Sequence, residues 1–452
     1  MSLSDRLSRG ESLGATPFPT TGALRQLNTG FDSHLDVAEF RHEVNEELKQ
    51  LIGQKLYSGE LDKNQLEDNV FEAISLVIER SDSPLTNADR AELVQEIVDD
   101  ILGNGPLEPL LRDPEVSEIM VSGFDKIYIE RSGRLEHTDL AFQSEEHLRK
   151  TIERIVGKVG RRIDESSPLV DARLKDGSRV NAVIAPIALD GASLTIRKFF
   201  KEPFTARDMV TTNTISANGL RLLEACVKGR LNVIISGGTG SGKTTTLNVL
   251  ASFLPADERI ITIEDSAELQ LGKPHVIRME TRPPNIEGQG LITIRDLVRN
   301  SLRMRPDRIV IGEVRDGAAI DMLQAMNTGH DGSLTTVHAN TTEDAVSRLE
   351  TMGLMAGMDL PVVVIRDQIA RAINLVVQQA RLRDGTRRIT AISEVLGMQD
   401  GHVQLQDIFK FEFDPNGVHG NLGKLVATGI IPSFLDRLSQ AGVDVDQGIF
   451  TA

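Results

Sequence analysis

The chain has 452 residues, 40% of them hydrophobic, and a formal net charge of −16, so it is too long for one ordinary domain and can fill two or three packed cores. The acidic charge argues against nucleic acid as the main partner. No apolar run reaches the roughly 18 residues that a membrane span needs, and the first residues lack a signal peptide's apolar core, which predicts a cytoplasmic protein. The single cysteine, Cys226, excludes an internal disulfide and a zinc site built from several thiolates.

The first half of the chain divides into a tail, a helical region and a mixed domain. Residues 1–35 are rich in Ser, Gly, Thr and Pro and predict a flexible tail. Apolar residues recur at helical spacing through residues 36–104, which predicts a helical N-terminal region. The pattern then changes to alternation, with short strands around a helix at 145–160, and this predicts an α+β domain over 105–202.

A predicted linker over 203–218 leads into the largest unit. From Gly219 onward helices alternate with buried apolar runs, NVIISG, RIITIED, HVIRME, RIVIGEV and GSLTTVHA. This alternation predicts a parallel, doubly wound α/β sheet. After Pro361 the pattern predicts a helix, three antiparallel strands and a terminal helix around 433–440, within a domain that extends over 219–452.

A glycine-rich segment follows the first of these apolar runs. It reads GGTGSGKT and lies between a strand and a helix, the context that a phosphate-binding loop (P-loop) requires. Glycines let successive backbone N–H groups turn toward phosphates, and the positive end of the following helix adds to the attraction. Lys243 would contact the β- and γ-phosphates, and the Thr244 hydroxyl would bind Mg²⁺. The predicted nucleotide-binding residues are Gly237, Gly238, Thr239, Gly240, Ser241, Gly242, Lys243, Thr244 and Thr245.

Carboxylates follow two of the predicted strands. Glu264 and Asp265 come after RIITI, and Glu313 comes after RIVIG. Because ligand sites of parallel sheets lie at the C-terminal ends of the strands, these carboxylates would face the P-loop, hold Mg²⁺ and orient the attacking water. Either Glu264 or Glu313 would be the base. His338, after GSLTTV, would sense the γ-phosphate from the same edge. The predicted Mg²⁺ ligands are Thr244, Glu264, Asp265 and Glu313.

Together these motifs resemble the secretion ATPases of type II and type IV systems, and within them the CpaF/TadA-like ATPases of Tad (Flp) pili. TIEDSAELQL is similar to that family's aspartate box, LVRNSLRMRPDRIVIGEVRD to its atypical Walker B region, and MNTGHDGSLTTVHAN to its histidine box. In the Walker B region Gly312 replaces the usual Asp, and Glu313 supplies the carboxylate. The resemblance covers roughly residues 100–450.

The resemblance implies an α/β fold with a RecA-like P-loop NTPase core, a preceding PAS-like α+β domain and a homo-hexameric ring that hydrolyses ATP with Mg²⁺. It also implies that arginines of the smaller domain reach the phosphates of the nucleotide. Arg197 and Arg179 lie in the matching strands, and Arg173 is a weaker third candidate. The predicted catalytic set is Lys243, Glu264, Glu313, Arg197, Arg179 and His338.

The chain departs from the family pattern at two points, which bear on an expected ion pair and on the branch of the family that it resembles. The family often has an acidic residue where this chain has Ala318, so the ion pair of that carboxylate is not expected here. Some relatives carry a four-cysteine zinc module, which one cysteine cannot build, and this favours the CpaF/TadA branch or the related ATPases of type IV secretion. Arg303, Arg305 and Arg315 are predicted to form ion pairs within or between subunits.

The function that the resemblance implies is a cytoplasmic motor that powers assembly of a Tad-type pilus, with pilus retraction or protein secretion as further expectations. Platform proteins of the inner membrane would recruit it to the inner face of that membrane. Two alternatives stay open. One is a DNA-transfer ATPase of the type IV secretion kind, which the acidic charge disfavours. The other is a non-hydrolysing, nucleotide-gated scaffold, which the presence of Glu264 and Glu313 disfavours.

Overall fold

The computed structural model describes residues 103–131, 133–199, 204–284, 289–418 and 421–451, together with scattered helical positions between 46 and 100. The predicted tail over 1–35 lies outside the described residues, and so does most of the predicted helical region over 36–104. The chain divides into two compact units. The first ends at Lys198, and the second begins at Phe199 and also includes the short segment Arg131–Arg134.

The first unit is built on a six-stranded sheet. Its strands are β1 (Val116–Ser122), β2 (Ile127–Arg131), β3 (Arg134–His137), β4 (Leu169–Arg173), β5 (Arg179–Val183) and β6 (Ser193–Arg197). The strands lie in the order β3-β2-β1-β6-β5-β4, and the pairs β1–β6, β6–β5 and β5–β4 are antiparallel. A short 3-10 turn (Gly105–Leu107) and helix α1 (Glu108–Arg112) precede the sheet.

Helix α2 (Glu145–Gly157) covers this sheet. It begins where the Ser144 hydroxyl oxygen accepts a hydrogen bond from the His147 N–H, a standard N-terminal cap. Its apolar residues recur every three or four positions, and Leu148 and Ile152 are fully buried in one core with the strand residue Ile119. The sequence prediction of a helix flanked by short strands is thus confirmed for this unit.

The second unit contains a nine-stranded sheet. Its strands are β7 (Val233–Gly237), β8 (Ile260–Glu264), β9 (Val276–Glu280), β10 (Arg308–Ile311), β11 (Leu334–Val337), β12 (Leu375–Arg381), β13 (Arg387–Gln399), β14 (His402–Val418) and β15 (Asn421–Ala427). They lie in the order β15-β14-β13-β12-β7-β11-β10-β8-β9. The pairs from β12 through β7 to β9 are parallel, whereas β12 to β15 form an antiparallel extension.

Helices cover both faces of the parallel part of the sheet. They are α3 (Ala206–Thr211), α4 (Ala217–Lys228), α5 (Lys243–Ser252), α6 (Ile294–Ser301), α7 (Ala318–Asn327), α8 (Thr342–Met355), α9 (Val362–Ala372) and α10 (Leu435–Gln440). Side chains that alternate along β7 divide between two cores: Val233 and Ile235 pack into one, and Ile234 packs into the other. The α/β class with a RecA-like core is confirmed. Among the described residues, no helix combines the length and apolarity that a membrane crossing needs.

Three local features differ from the sequence-based expectation. The segment predicted as the linker contains α3, which is capped by reciprocal hydrogen bonds between Thr205 and Asp208. Strand β12 was expected only among antiparallel strands, but it also pairs in parallel with β7. Strand β15 is an additional edge strand that the pattern did not predict.

Candidate active site

The P-loop joins the buried strand β7 to helix α5. Gly240 and Gly242 have φ angles of 69° and 96°, a left-handed conformation that glycine adopts without steric cost. A Cβ atom at Gly237 would lie 2.4 Å from the Gln379 carbonyl oxygen, so only glycine fits there as well. The Gly238 carbonyl accepts a hydrogen bond from the Ser241 hydroxyl at 2.9 Å, which closes the turn. The predicted strand, glycine loop and helix are therefore present in the expected order.

Lys243 is the first residue of α5, and its side chain turns back into the loop. It is only 7% exposed. Its Nζ donates a hydrogen bond to the Gly238 carbonyl at 3.0 Å and lies 3.3 Å from Nε2 of His338. Thr244 is half-buried at the same helix terminus, whereas Thr239 and Thr245 are exposed. The loop thus holds an ammonium group at the place where phosphates would bind.

Glu313 and His338 follow the neighbouring strands β10 and β11, so both reach the edge that carries Lys243. Oε1 of Glu313 lies 3.4 Å from Nε2 of His338. Burial raises the pKa of Glu313, but hydrogen bonding and charge attraction from Arg315 more than offset this and hold the pKa below its usual value. Burial, followed by the charge of Lys243, lowers the pKa of His338. At neutral pH the cluster therefore contains an ionised glutamate beside a neutral imidazole.

Arg315 forms a two-pronged ion pair with Glu313. Its Nε and Nη2 donate to the two carboxylate oxygens at 2.8 and 3.1 Å. Its Nη1 also lies 3.5 Å from Oδ2 of Asp265. The prediction that Arg315 makes an ion pair is thus confirmed. The same contact shows where the Asp265 side chain lies: it is 41% exposed and directed toward Arg315.

Glu264 ends strand β8 and is almost completely buried, with 2% of its surface exposed. Its Oε2 accepts hydrogen bonds from the backbone N–H groups of Glu268 and Leu269 at 2.7 and 3.0 Å. Its Oε1 is buried and has no hydrogen-bond partner among the residues that the structure describes. Burial raises its pKa, although the two backbone hydrogen bonds oppose that shift. Glu264 and Glu313 therefore stand in opposite electrostatic environments.

Gly312 makes room for Glu264. A Cβ atom at Gly312 would lie 3.0 Å from Cγ of Glu264, closer than ordinary packing allows. Strands β8 and β10 are parallel neighbours, and the Gly312 N–H donates a hydrogen bond to the Ile263 carbonyl at 2.8 Å. The Glu264 side chain thus packs, through its Cγ and Cβ, against the space that a side chain at 312 would otherwise occupy.

The residues present fit a nucleotide with Mg²⁺. The loop carries glycines where phosphates would approach the backbone, and the unpartnered Oε1 of Glu264 is a hard oxygen of the kind that Mg²⁺ prefers. Within the described part of the chain, no group of three or more His, Cys, Asp or Glu side chains could hold a metal ion. Mg²⁺ would therefore need Thr244, phosphate oxygens and water as further ligands, its usual arrangement beside a nucleotide.

The structure places Arg179 and Arg197 in the first unit. They are register partners at the ends of β5 and β6, and Arg173 on β4 is in turn the partner of Arg179. The three arginines thus form a row across neighbouring strands. Their predicted contact with phosphates stays a prediction.

Helix α7 carries a different acid from the one that the family pattern suggests. Ala318 begins this helix and is buried. The carboxylate of Asp321 accepts hydrogen bonds from Nε of Arg295 and Nε of Arg299 at 2.6 and 2.7 Å, and thereby joins α7 to α6. The ion pair of this helix is therefore made one turn later in the chain.

Two residues that contact the P-loop region were not predicted from the sequence. Nε of Arg387, on β13, donates a hydrogen bond to the Gly240 carbonyl at 3.0 Å. Oε1 of Gln379, on β12, accepts a hydrogen bond from the Thr246 hydroxyl at 2.8 Å. Both residues lie more than a hundred positions from the loop in sequence, and no local motif marks them.

Comparisons with known proteins agree with these features. A model of the family described as Type II/IV secretion system protein matches residues 100–417. One relative is a Mycobacterium tuberculosis protein provisionally named a conjugal transfer protein. It is 36% identical over 311 residues, which are 68% of this chain and 88% of the relative. The conjugal transfer protein TrbB of Rhizobium radiobacter is 32% identical over 312 residues, 67% of this chain and 91% of the relative.

Among solved structures, the VirB11 ATPase of the Brucella suis type IV secretion system, in complex with sulphate, is 28% identical to this chain. The match covers 64% of this chain and 92% of that structure, with a TM-score of 0.36.

Proposed function

The chain belongs to the type II/IV secretion system protein family, and on that premise we propose that it is an Mg²⁺-dependent ATPase that drives a secretion or pilus-assembly machine. The observation that carries this proposal is the cluster at the end of the parallel sheet. There the P-loop lysine lies 3.3 Å from His338, and His338 lies 3.4 Å from Glu313. A cation for phosphates and an ionised carboxylate for water thus meet at one edge, the arrangement that nucleotide hydrolysis requires.

In the proposed reaction one set of residues binds the phosphates and another activates the attacking water. Lys243 and the loop N–H groups bind the phosphates, and the Thr244 hydroxyl with Glu264 would hold Mg²⁺, which supplies charge neutralisation on the phosphates when bound. Glu313 accepts a hydrogen bond from the attacking water and takes its proton. His338 is neutral, so it can donate one hydrogen bond without adding charge.

Burial separates the two glutamates as candidates for the base. Glu313 is 21% exposed and is held ionised by Arg315, so water can reach it and find an acceptor. Glu264 is only 2% exposed and directs Oε2 to two backbone N–H groups, so water reaches it less easily and its unpartnered Oε1 is the oxygen left for a ligand. We therefore assign the base to Glu313 and the metal-side role to Glu264.

Replacing Lys243 with alanine tests the proposed function. We expect kcat/KM for ATP hydrolysis to fall about 10²- to 10³-fold, because the ammonium group stabilises charge that develops on the phosphates. The measurement is phosphate release from ATP with Mg²⁺ present. Lys228→Ala is a matched control, since that lysine is exposed and pairs with a neighbouring glutamate of α4. Equal hydrolysis by Lys243→Ala and the wild type would overturn the proposal.

Replacing Arg315 with alanine is expected to change the pH dependence of hydrolysis. Without the guanidinium group the pKa of Glu313 rises, so the base becomes protonated at a higher pH and the acidic limb of the kcat profile moves upward. Well above that limb the two rates should converge. Profiles recorded from pH 5 to 9 decide this, with Arg371→Ala as the control, because Arg371 pairs with Asp367 on an exposed helix face. An unmoved acidic limb would contradict the assignment of Glu313.

The cargo of the motor has two candidates. The motifs of the sequence favour a Tad-type pilus, in which a homo-hexameric ring would push on platform proteins of the inner membrane. The names of two relatives favour conjugal transfer at least as strongly. Loss of pilus assembly after deletion of the gene would support the first candidate, and loss of plasmid transfer would support the second.

A further inference from the structure

We propose that the β12–β13 hairpin holds the P-loop in the conformation that receives phosphates, with Arg387 and Gln379 as the positioning residues. This inference rests on the proposed function, because it concerns the affinity of the same site for nucleotides. It adds two residues from a part of the chain that carries none of the motifs described above. All of the contacts involved lie within the second unit.

Arg387 holds the apex of the loop. Its Nε donates to the Gly240 carbonyl at 3.0 Å, and this carbonyl belongs to one of the two loop glycines in the left-handed conformation. Its Cδ lies 3.1 Å from the point where a Cβ at Gly242 would be, so the arginine side chain packs directly on the second of those glycines. One side chain thus contacts both positions at which the loop reverses direction.

Gln379 holds the two ends of the loop. It is 2% exposed and is the register partner of Gly237 where β12 pairs with β7. Its side-chain oxygen accepts a hydrogen bond from Thr246 on the first turn of α5, at 2.8 Å. The first glycine of the loop segment and the helix that follows the loop are therefore fixed to the same strand. A shift of register at Gln378 and Gln379 marks the point where β12 departs from a regular pairing with β13.

The loop needs such support because of its composition. Glycine loses more conformational freedom on ordering than any other residue, and this loop must fix Gly238, Gly240 and Gly242 at once. If the nucleotide alone ordered the loop, that entropic cost would reduce the free energy of nucleotide binding. The contacts from the hairpin order the loop beforehand, so phosphates meet N–H groups that already face inward.

If the hairpin orders the loop, removing the hairpin contact should weaken nucleotide binding without slowing the chemical step. The loop binds the phosphates that ATP and ADP share, whereas Glu313 and His338 act beside the phosphate that is removed. Loss of the hairpin contact should therefore weaken ATP and ADP equally, by about tenfold in Kd, a size typical of lost pre-organisation. The kcat at saturating ATP should stay within about twofold, because the reacting groups remain in place.

The experiment compares Arg387→Ala with Arg383→Ala, which removes the same charge from the exposed turn of the same hairpin. Binding of fluorescent ATP and ADP analogues, kcat at saturation and the thermal midpoint are measured for each. Thr246→Val removes the hydroxyl that binds Gln379 and should weaken both nucleotides in the same way.

Equal affinities of Arg387→Ala and Arg383→Ala would overturn the inference. A loss confined to ATP, or to kcat, would also overturn it. Lys243→Ala, included in parallel, separates the two proposals: if it binds nucleotides as tightly as the wild type, the proposed function fails and not merely the role of the hairpin.

Discussion

The Glu313→Gln variant should hydrolyse ATP about 10²- to 10⁴-fold more slowly than the wild type, the range that general-base catalysis contributes. The amide has nearly the same shape as the carboxylate but cannot accept a proton from water. It also loses the charge that the Arg315 guanidinium contacts at 2.8 and 3.1 Å. Binding of ATP should remain close to that of the wild type, because Lys243 and the loop N–H groups are unchanged.

Single-turnover hydrolysis and equilibrium ATP binding measure the two effects separately. Glu350→Gln is a matched control, since Glu350 forms a two-pronged pair with Arg366 at 2.9 and 3.1 Å between α8 and α9. This control should hydrolyse ATP normally. If Glu264→Gln lost more hydrolysis than Glu313→Gln at saturating Mg²⁺, the roles of the two glutamates would have to be exchanged.

The second large expected effect is on the stability of the fold rather than on ATP hydrolysis. Arg308 begins strand β10, and its side chain is 0% exposed. Its Nε and Nη2 donate to both carboxylate oxygens of Glu258 at 2.6 and 3.3 Å, while Nη1 donates to the carbonyls of Val227 and Gly332 at 3.0 and 3.2 Å. One guanidinium group thus joins the start of β10 to the end of α4 and to the loops before β8 and β11.

The Arg308→Met variant should lose about 3–5 kcal/mol of unfolding free energy, the usual cost of removing one partner from a buried ion pair. Methionine fills much of the volume but takes away the guanidinium donors of Glu258 and of the two carbonyl oxygens. Glu258 then keeps its contact with Arg230 at 3.3 Å, and the Val227 carbonyl keeps the Arg230 N–H at 3.3 Å. Urea unfolding followed by circular dichroism measures the change. Arg149→Met is the control, since Arg149 pairs with Glu153 on an exposed helix face and should leave the midpoint unchanged. A similar midpoint for Arg308→Met and the wild type would show that the buried network contributes little.

Much of the second unit was predictable from the sequence because its signals are local. The run from Val233 to Thr244 encodes a strand, a glycine loop and a helix start within a few residues. The parallel order of the sheet then places Glu264, Glu313 and His338 at one edge, because all three follow strands that run in the same direction. Helix α3 was missed although its capping signal, Thr205 followed by Asp208, is also local.

What could not be predicted depends on contacts between distant parts of the chain. The contact between Arg387 and Gly240 follows from the register of β12 against β7, and no pattern in either segment encodes that register. The opposite environments of the two glutamates follow from the deeper burial of Glu264 and from the ion pair of Glu313 with Arg315. The order of the strands and helices could thus be predicted from the sequence. The pKa shifts of the site residues depend on contacts between distant parts of the chain, which the sequence does not show.

Gly312 also bears on how such sites are recognised. Searches for nucleotide-binding proteins commonly require an acid at the end of a buried strand, immediately before the glutamate that acts on water. In this chain that position carries no side chain, and the side-chain carbons of Glu264, on the adjacent strand β8, pack against it. A criterion that demands an acid at that position of the sequence would therefore miss this strand, whereas one written in space, as an acidic side chain packed against the glycine from the neighbouring strand, would include it.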